Sequence, residues 1–150
     1  MDDDIMFRVE DESSQAHTTE RGVLASVESS GLTFKLGDED MREEFFWALH
    51  DHVRWSSDAA SPFISVYSDW DTALREAQRR VRMGKQHVTI TVIDGSPDRD
   101  LDYRRVRGLA SRLGLDIPSK AWNNSKFEIV FLHRIPPHAI VEVILIEDAF

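Results

Sequence analysis

The chain has 150 residues, no cysteine and a formal net charge of −9 at pH 7. Its length suits one domain with its own core, so we expect a single domain over 1–150. The lack of cysteine excludes disulfides, thiolate metal sites and cysteine nucleophiles. The excess of acid disfavours general binding to nucleic acid, because neutralisation of phosphates supplies most of the non-specific affinity there.

The sequence predicts neither insertion into a membrane nor export. No apolar run approaches the roughly 20 residues that a membrane helix needs. The first residues, M-D-D-D-I-M-F-R, contain neither the basic segment nor the long apolar segment of a secretory signal. We therefore expect a soluble, intracellular protein without membrane partners, and secretion of a processed form stays open.

The pattern of the first half of the chain predicts three short strands and two helices. Ile5–Glu10 is typical of a strand, and a second short strand is expected around Val23–Val27. Apolar residues recur at helical spacing from about Asp40 to His52. Phe63–Tyr67 predicts another strand, and the Ser-x-x-Asp capping pattern that begins at Ser68 predicts a helix to about residue 83.

The second half of the chain predicts further elements of both kinds. They are a strand over 88–92, a helix over 102–113 with Gly114 as its cap, a loop over 114–126, and strands over 127–133 and 139–146. Strands and helices that do not alternate regularly indicate an α+β fold rather than a doubly wound parallel sheet.

Three residues that are far apart in the chain stand in recognisable local settings. Arg8 lies in the apolar run I-M-F-R-V, Ser65 closes the run S-P-F-I-S, and Glu128 stands at the start of F-E-I-V-F-L. This ordered trio resembles the Arg–Ser–Glu class of mono-ADP-ribosyltransferases, which includes the cholera-toxin-like and pierisin-like enzymes. The segments S-P-F-I-S and E-x-x-F-L-H-x-I-P resemble most closely an uncharacterised group of fungal proteins.

The resemblance implies two small packed β-sheets with flanking helices around a cleft for NAD, the co-substrate. In such enzymes the arginine holds the phosphate and ribose, the serine orients the glutamate, and the glutamate stabilises the ribosyl cation. Carried over, Arg8, Ser65 and Glu128 are the candidate catalytic and NAD-binding residues. Tyr67 is a further candidate for contact with NAD. The residue types suit these roles, because a guanidinium fork binds phosphate and a fixed carboxylate stabilises an oxocarbenium ion.

The same residues also have ordinary explanations. Arg8 could be an exposed strand arginine paired with Glu10, although strand alternation points it away from its apolar neighbours. Ser65 could be a polar strand residue. Glu128 is harder to explain in this way, because it follows Phe127 and interrupts an otherwise apolar strand, and such local exceptions are typical of functional sites.

The acceptor of ADP-ribose is not fixed by the resemblance. Enzymes of this class that modify proteins usually carry Glu or Gln two residues before the catalytic glutamate, whereas this chain has Lys126. Their Ser-Thr-Ser motif reads Ser65-Val66-Tyr67 here. Protein, nucleic acid and water all stay open as acceptors, with Trp122 and Lys126 as candidate recognition residues. A catalytically inactive recognition or effector module of the same fold is the alternative function.

No metal site is predicted. His50 and His52 are two residues apart on one predicted helix and therefore do not share a helical face. We interpret them as half-buried packing residues before the serine strand, with a place in the cleft lining as the alternative. A glycine-rich phosphate loop and a G-x-S-x-G elbow are missing from the sequence, which argues against a Rossmann or P-loop nucleotide site and against an ordinary serine hydrolase.

Overall fold

The computed structural model describes residues 4–54, 60–96 and 101–146. The strands in these ranges are β1 (Ile5–Glu10), β2 (His17–Thr19), β3 (Gly22–Leu24), β4 (Phe63–Tyr67), β5 (Thr89–Asp94), β6 (Tyr103–Arg105), β7 (Glu128–Leu132), β8 (Arg134–Ile135) and β9 (Ile140–Leu145). The helices are α1 (Glu39–His52), α2 (Trp70–Arg82), α3 (Val106–Leu113), α4 (Ser119–Ser125) and a 3-10 turn at Pro137–Ala139. Among these, no helix combines the length and the apolar character needed to span a membrane.

The strands form two antiparallel sheets, which confirms the predicted α+β class. The larger sheet has the order β6-β7-β4-β1-β5-β9, and the smaller has the order β2-β3-β8. Met6, Ile64 and Phe131 from the large sheet pack with Val23 and Ile135 from the small one. The two sheets therefore enclose a common apolar core.

The opposite face of the large sheet is covered by helices at both ends. Helix α1 begins at Asp38, whose carboxylate accepts a hydrogen bond from the Met41 N–H at 2.7 Å. Its buried residues pack against Phe63, whereas those of α2 pack against Tyr67. Ser65 lies between these two strand residues and shares their face. The space between the helices therefore leaves Ser65 accessible.

The structure corrects the prediction of a helix over 102–113. That helix, α3, begins only at Val106, because the three residues before it form β6 and pair with β7. The ring of Tyr103 in β6 lies 5.0 Å from the ring of Phe131. Pairing with a distant strand and aromatic packing thus outweigh the local helical pattern. Gly114 ends the helix with φ 67°, as predicted.

Other boundaries also differ from the predictions. The region predicted as a loop over 114–126 contains α4, and the strand expected over 23–27 is β3, Gly22–Leu24. The cap of α2 is Asp69 rather than Ser68, since its carboxylate accepts from the Thr72 N–H at 3.0 Å. Strand β4 has the predicted bounds.

Gly22 is required where the small sheet closes. Its φ is 101°, and a Cβ at this position would lie 2.0 Å from the carbonyl oxygen of Ile135. We expect Gly22→Ala to lower the free energy of unfolding by roughly 2 kcal/mol or more, because both the backbone conformation and the β3–β8 contact would be strained. Urea unfolding checks this prediction. Gly31→Ala, where a Cβ would meet open space, is the control and should change stability far less.

Candidate active site

The pairing of β4 with β7 brings Ser65 and Glu128 together. Ser65 is opposite Val130, and Tyr67 is opposite Glu128. Residues opposite one another in antiparallel strands point to the same face, so the serine and the glutamate are diagonal neighbours. The Ser65 hydroxyl donates a hydrogen bond to Glu128 Oε2 at 2.7 Å. The structure therefore joins two residues that are 63 positions apart in the sequence.

Arg8 reaches the same place from the neighbouring strand. Its Nη1 donates to the carbonyl oxygen of Ser65 at 2.9 Å, and its Nη2 donates to that of Ala16 at 3.0 Å. Its Nε lies 3.5 Å from Glu10 Oε1 but makes no hydrogen bond. Arg8 is 7% exposed. Its guanidinium thus ties β1 to β4 and to the segment before β2, and the ordinary pairing with Glu10 is also present.

Arg8, Ser65, Tyr67 and Glu128 all line one cleft of about 210 Å³. The geometry therefore brings together all four residues that the sequence suggested for catalysis and for contact with NAD. The remaining lining includes His52, from the last turn of α1, and side chains from the segment before β2.

His52 extends the contact between Ser65 and Glu128 into a chain of hydrogen bonds. Its Nε2 lies 2.7 Å from Ser65 Oγ, and its Nδ1 lies 2.6 Å from Ser61 Oγ. Because the single hydroxyl proton of Ser65 goes to Glu128, His52 must donate from Nε2, and Ser61 must donate to Nδ1. Ser61 Oγ in turn accepts from the Phe63 N–H at 3.0 Å. This chain of hydrogen bonds ends at the Glu128 carboxylate and holds it in position.

Burial governs the charges of this site. Burial raises the pKa of Glu128, and the hydrogen bond from Ser65 opposes that rise. Burial and the neighbouring charge of Arg8 lower the pKa of His52 to about 4, so His52 is neutral at pH 7. Burial also lowers the pKa of Arg8, against the attraction of Glu10, and raises the pKa of Tyr67. The imidazole of His52 in this cleft is thus uncharged at pH 7, and burial acts against the charged forms of both Arg8 and Glu128.

This arrangement differs from that of a serine nucleophile. A general base works best when its pKa is near the operating pH, whereas that of His52 is lowered to about 4. The Ser65 proton points to Glu128 rather than to the imidazole. Ser65 is therefore placed to hold the carboxylate, and Glu128 is the group available to stabilise positive charge in the cleft.

The two candidate acceptor-recognition residues lie outside the cleft lining. Trp122 is on α4 and 49% exposed, and the guanidinium of Arg107 stacks on its ring at 3.7 Å. Lys126 ends the same helix, with its Nζ 5.4 Å from the ring centre of Phe127. Within the described ranges, no three His, Asp or Glu side chains are grouped so that they could hold a metal ion.

His52 lines the cleft, which was the alternative to simple packing, but its contact with Ser65 is not predicted by the sequence. Ser61 and Arg54 also line the cleft, whereas the sequence pattern places Arg54 on a helix surface and gives Ser61 no role. The available signal was position: all three residues lie within thirteen residues before Ser65, at the end of a predicted helix that leads into the serine strand. Only the way in which α1 packs over β4 turns that closeness in sequence into contact.

One family model and a solved structure are similar to this chain. The sequence model of the family described as "Domain of unknown function (DUF7587)" matches residues 1–149. No curated protein matches the chain. Among solved structures, the chain is similar to EcPltA, with a TM-score of 0.54 and 12% identity, over 93% of this chain and 74% of that one. EcPltA has an ADP-ribosyltransferase-like toxin fold, so the similarity is one of fold.

Proposed function

This chain belongs to the family described as domain of unknown function DUF7587, and we propose that it is an NAD-dependent mono-ADP-ribosyltransferase. The observation that carries the proposal is the hydrogen bond of 2.7 Å from Ser65 to Glu128, in a cleft that Arg8 also lines. The related fold of EcPltA supports the same proposal of transferase function. The domain over 1–150 would act as a single unit.

In the proposed reaction, Arg8 holds the phosphate and ribose part of NAD. Ser65 keeps the Glu128 carboxylate in one position, with His52 and Ser61 behind it. The bond between nicotinamide and ribose breaks, and its electron pair leaves with nicotinamide. Glu128 stabilises the positive charge that develops on the ribose. A nucleophile then adds to the same carbon, which transfers ADP-ribose to the acceptor.

We propose that the acceptor is a macromolecule, protein or nucleic acid, or else water. Trp122 and Lys126 lie outside the cleft lining, so their proposed part is to dock a macromolecular acceptor rather than to take part in bond breaking. The exposed ring of Trp122, held by Arg107, offers a rigid aromatic contact of the kind that is enriched at interfaces.

NAD is expected to stabilise the folded protein against heat. At a concentration of one hundred times the dissociation constant, a ligand that binds only the folded state adds about 2.7 kcal/mol. For a domain of this size that corresponds to a rise in Tm of roughly 5–10 °C. Thermal unfolding with and without NAD measures the shift, and chromatography of the same mixture measures released nicotinamide.

The outcomes of this experiment separate the two functions suggested by the sequence. A thermal shift together with nicotinamide release supports the transferase. A shift without release, with protein and nucleic acid offered as acceptors, would favour the inactive recognition module. No shift at millimolar NAD would overturn the proposal that the cleft binds this co-substrate.

A further inference from the structure

Of the described residues, three arginines line the cleft, and the guanidinium groups of two of them are bound to other parts of the protein. Arg8 donates to two backbone carbonyls and approaches Glu10. Arg80 pairs through Nε with Glu76 at 2.8 Å and through Nη1 with Asp11 at 3.1 Å. Both cations therefore already have acidic or carbonyl partners. The third guanidinium, that of Arg54, has a different environment.

Arg54 follows the last turn of α1, two residues after His52. Its Nη1 is buried and, among the residues that the structure describes, meets no hydrogen-bond acceptor and takes part in no ion pair. Asp51 also lines the cleft, but its Oδ1 lies 3.1 Å from Nδ1 of His50. A buried guanidinium N–H without an acceptor loses its hydration and receives nothing in exchange. Such a group is a ready binding site for an anion.

We propose that Arg54 binds the diphosphate of the dinucleotide, as a second anion-binding residue in the cleft beside Arg8. This inference rests on the proposed function. In NAD, the nicotinamide ring is cationic and the riboses and adenine are neutral, so the diphosphate is the part with negative charge. A guanidinium can donate two parallel hydrogen bonds to phosphate oxygens, which suits this group better than any other part of the ligand.

The charges around Arg54 favour the same assignment. His52 is neutral, because burial and Arg8 lower its pKa to about 4, and it therefore adds no positive charge to the cleft. Arg80 is neutralised by its two carboxylate partners. Arg54 is thus the cleft cation whose charge has no close acidic partner among the described residues. It is a positioning residue for NAD, and Glu128 remains the group beside the reacting bond.

The test compares Arg54→Gln and Arg54→Lys with the wild-type chain. Calorimetric titrations use NAD, ADP-ribose, inorganic pyrophosphate and nicotinamide as ligands. We expect Arg54→Gln to weaken binding of the three ligands that contain a diphosphate by roughly 10- to 100-fold, as for loss of a charged hydrogen bond. Nicotinamide binding should stay unchanged. Arg54→Lys should recover part of the loss, because it keeps the charge without the fork.

Turnover and stability distinguish this role from a structural one. Loss of a contact that holds ground state and transition state alike raises KM and leaves kcat near its original value. The Tm of Arg54→Gln should equal or exceed that of the wild type, because a buried N–H without a partner has been removed. Arg112, which is exposed on α3 and absent from the cleft lining, gives the matched control Arg112→Gln, with unchanged affinity for every ligand.

Failure of this inference and failure of the proposed function give different results. If the wild type and Arg54→Gln bind NAD equally, the assignment of Arg54 is overturned while the transferase stands. A second outcome is that the wild type binds pyrophosphate but not NAD, and that Arg54→Gln binds pyrophosphate more weakly. The anion site then stands and the transferase does not. If the wild type binds none of the four ligands, both are overturned.

Discussion

Replacement of Glu128 by glutamine is expected to slow nicotinamide release roughly 10²- to 10³-fold, as for removal of a group that stabilises charge in the transition state. Glutamine has the same shape, and its amide oxygen can still accept the Ser65 hydrogen bond. It lacks the negative charge that would stabilise the ribosyl cation. The loss should therefore appear in kcat, with little change in NAD affinity.

The stability of the same variant gives an independent check. Because burial raises the pKa of Glu128, the ionised carboxylate is less favourable in the folded state than in water. A neutral amide removes that cost, so the free energy of unfolding of Glu128→Gln should equal or exceed that of the wild type near pH 7. Loss of turnover then cannot be attributed to misfolding.

The control for Glu128 is Glu142→Gln, which removes the same charge from an exposed position on β9. It should leave nicotinamide release and stability unchanged. Release by Glu128→Gln within about threefold of the wild type would mean that this carboxylate does not stabilise the reacting ribose. The transferase mechanism proposed above would then be wrong at its central step.

Arg8 is a poorer choice for such a test, because its side chain also holds the fold together. It is buried and donates to the carbonyl oxygens of Ser65 and Ala16. Any replacement leaves those buried carbonyls without a donor and lowers stability. A loss of activity in an Arg8 variant would therefore combine loss of a binding group with displacement of β4. The sequence alone predicts an exposed ion pair or a ligand contact. The approach to Glu10 is present, but Arg8 is buried rather than exposed, because its guanidinium is held by the two carbonyls.

The close contact of Ser65 and Glu128 could be anticipated because both lie on strands with clear local signals. Pro62 precedes one strand, and the apolar run after Glu128 marks the other, so alternation fixes which side chains share a face. Pairing of β4 with β7 was the remaining step, and the family resemblance supplied it. Local patterns and one known architecture were sufficient for this part of the site.

The other parts of the site depend on contacts that no local pattern encodes. The local pattern of the β6 residues predicts the first turn of a helix, and only their pairing with β7 makes them a strand. The sequence places His52 at the end of a helix, and the packing of α1 over β4 brings it into contact with Ser65. The position of Arg54 shortly before the serine strand is its only signal in the sequence, and that signal does not show that its buried Nη1 meets no acceptor among the described residues. Tertiary packing decides all three.

The hydrogen-bond chain through His52 should make the fold sensitive to mild acid. The pKa of His52 is lowered from 6.5 to about 4 in the folded protein, so the unfolded chain takes up the proton first as the pH falls. The stability contributed by neutral His52 is fully present above pH 6.5 and is lost as the pH falls towards 4. The total loss is on the order of 3 kcal/mol. Protonation would also make both ring nitrogens donors, which removes the acceptor that Ser61 needs.

His52→Gln isolates this effect, because its amide can donate to Ser65 as Nε2 does but cannot take up a proton in this range. Urea unfolding at half-unit steps from pH 7 to pH 4 should show a slope shallower than that of the wild type by up to about 1.4 kcal/mol per pH unit. Asp11 and Glu76 also have lowered pKa values, so the stability that they contribute is lost in acid in both proteins. The difference between the two slopes cancels this contribution.

His87→Asn is the control, since His87 is exposed with φ 55° and asparagine tolerates that conformation. Equal slopes for wild type and His52→Gln would mean that His52 takes up its proton in the folded state as readily as in water, and that the chain of hydrogen bonds to Glu128 does not depend on a neutral imidazole.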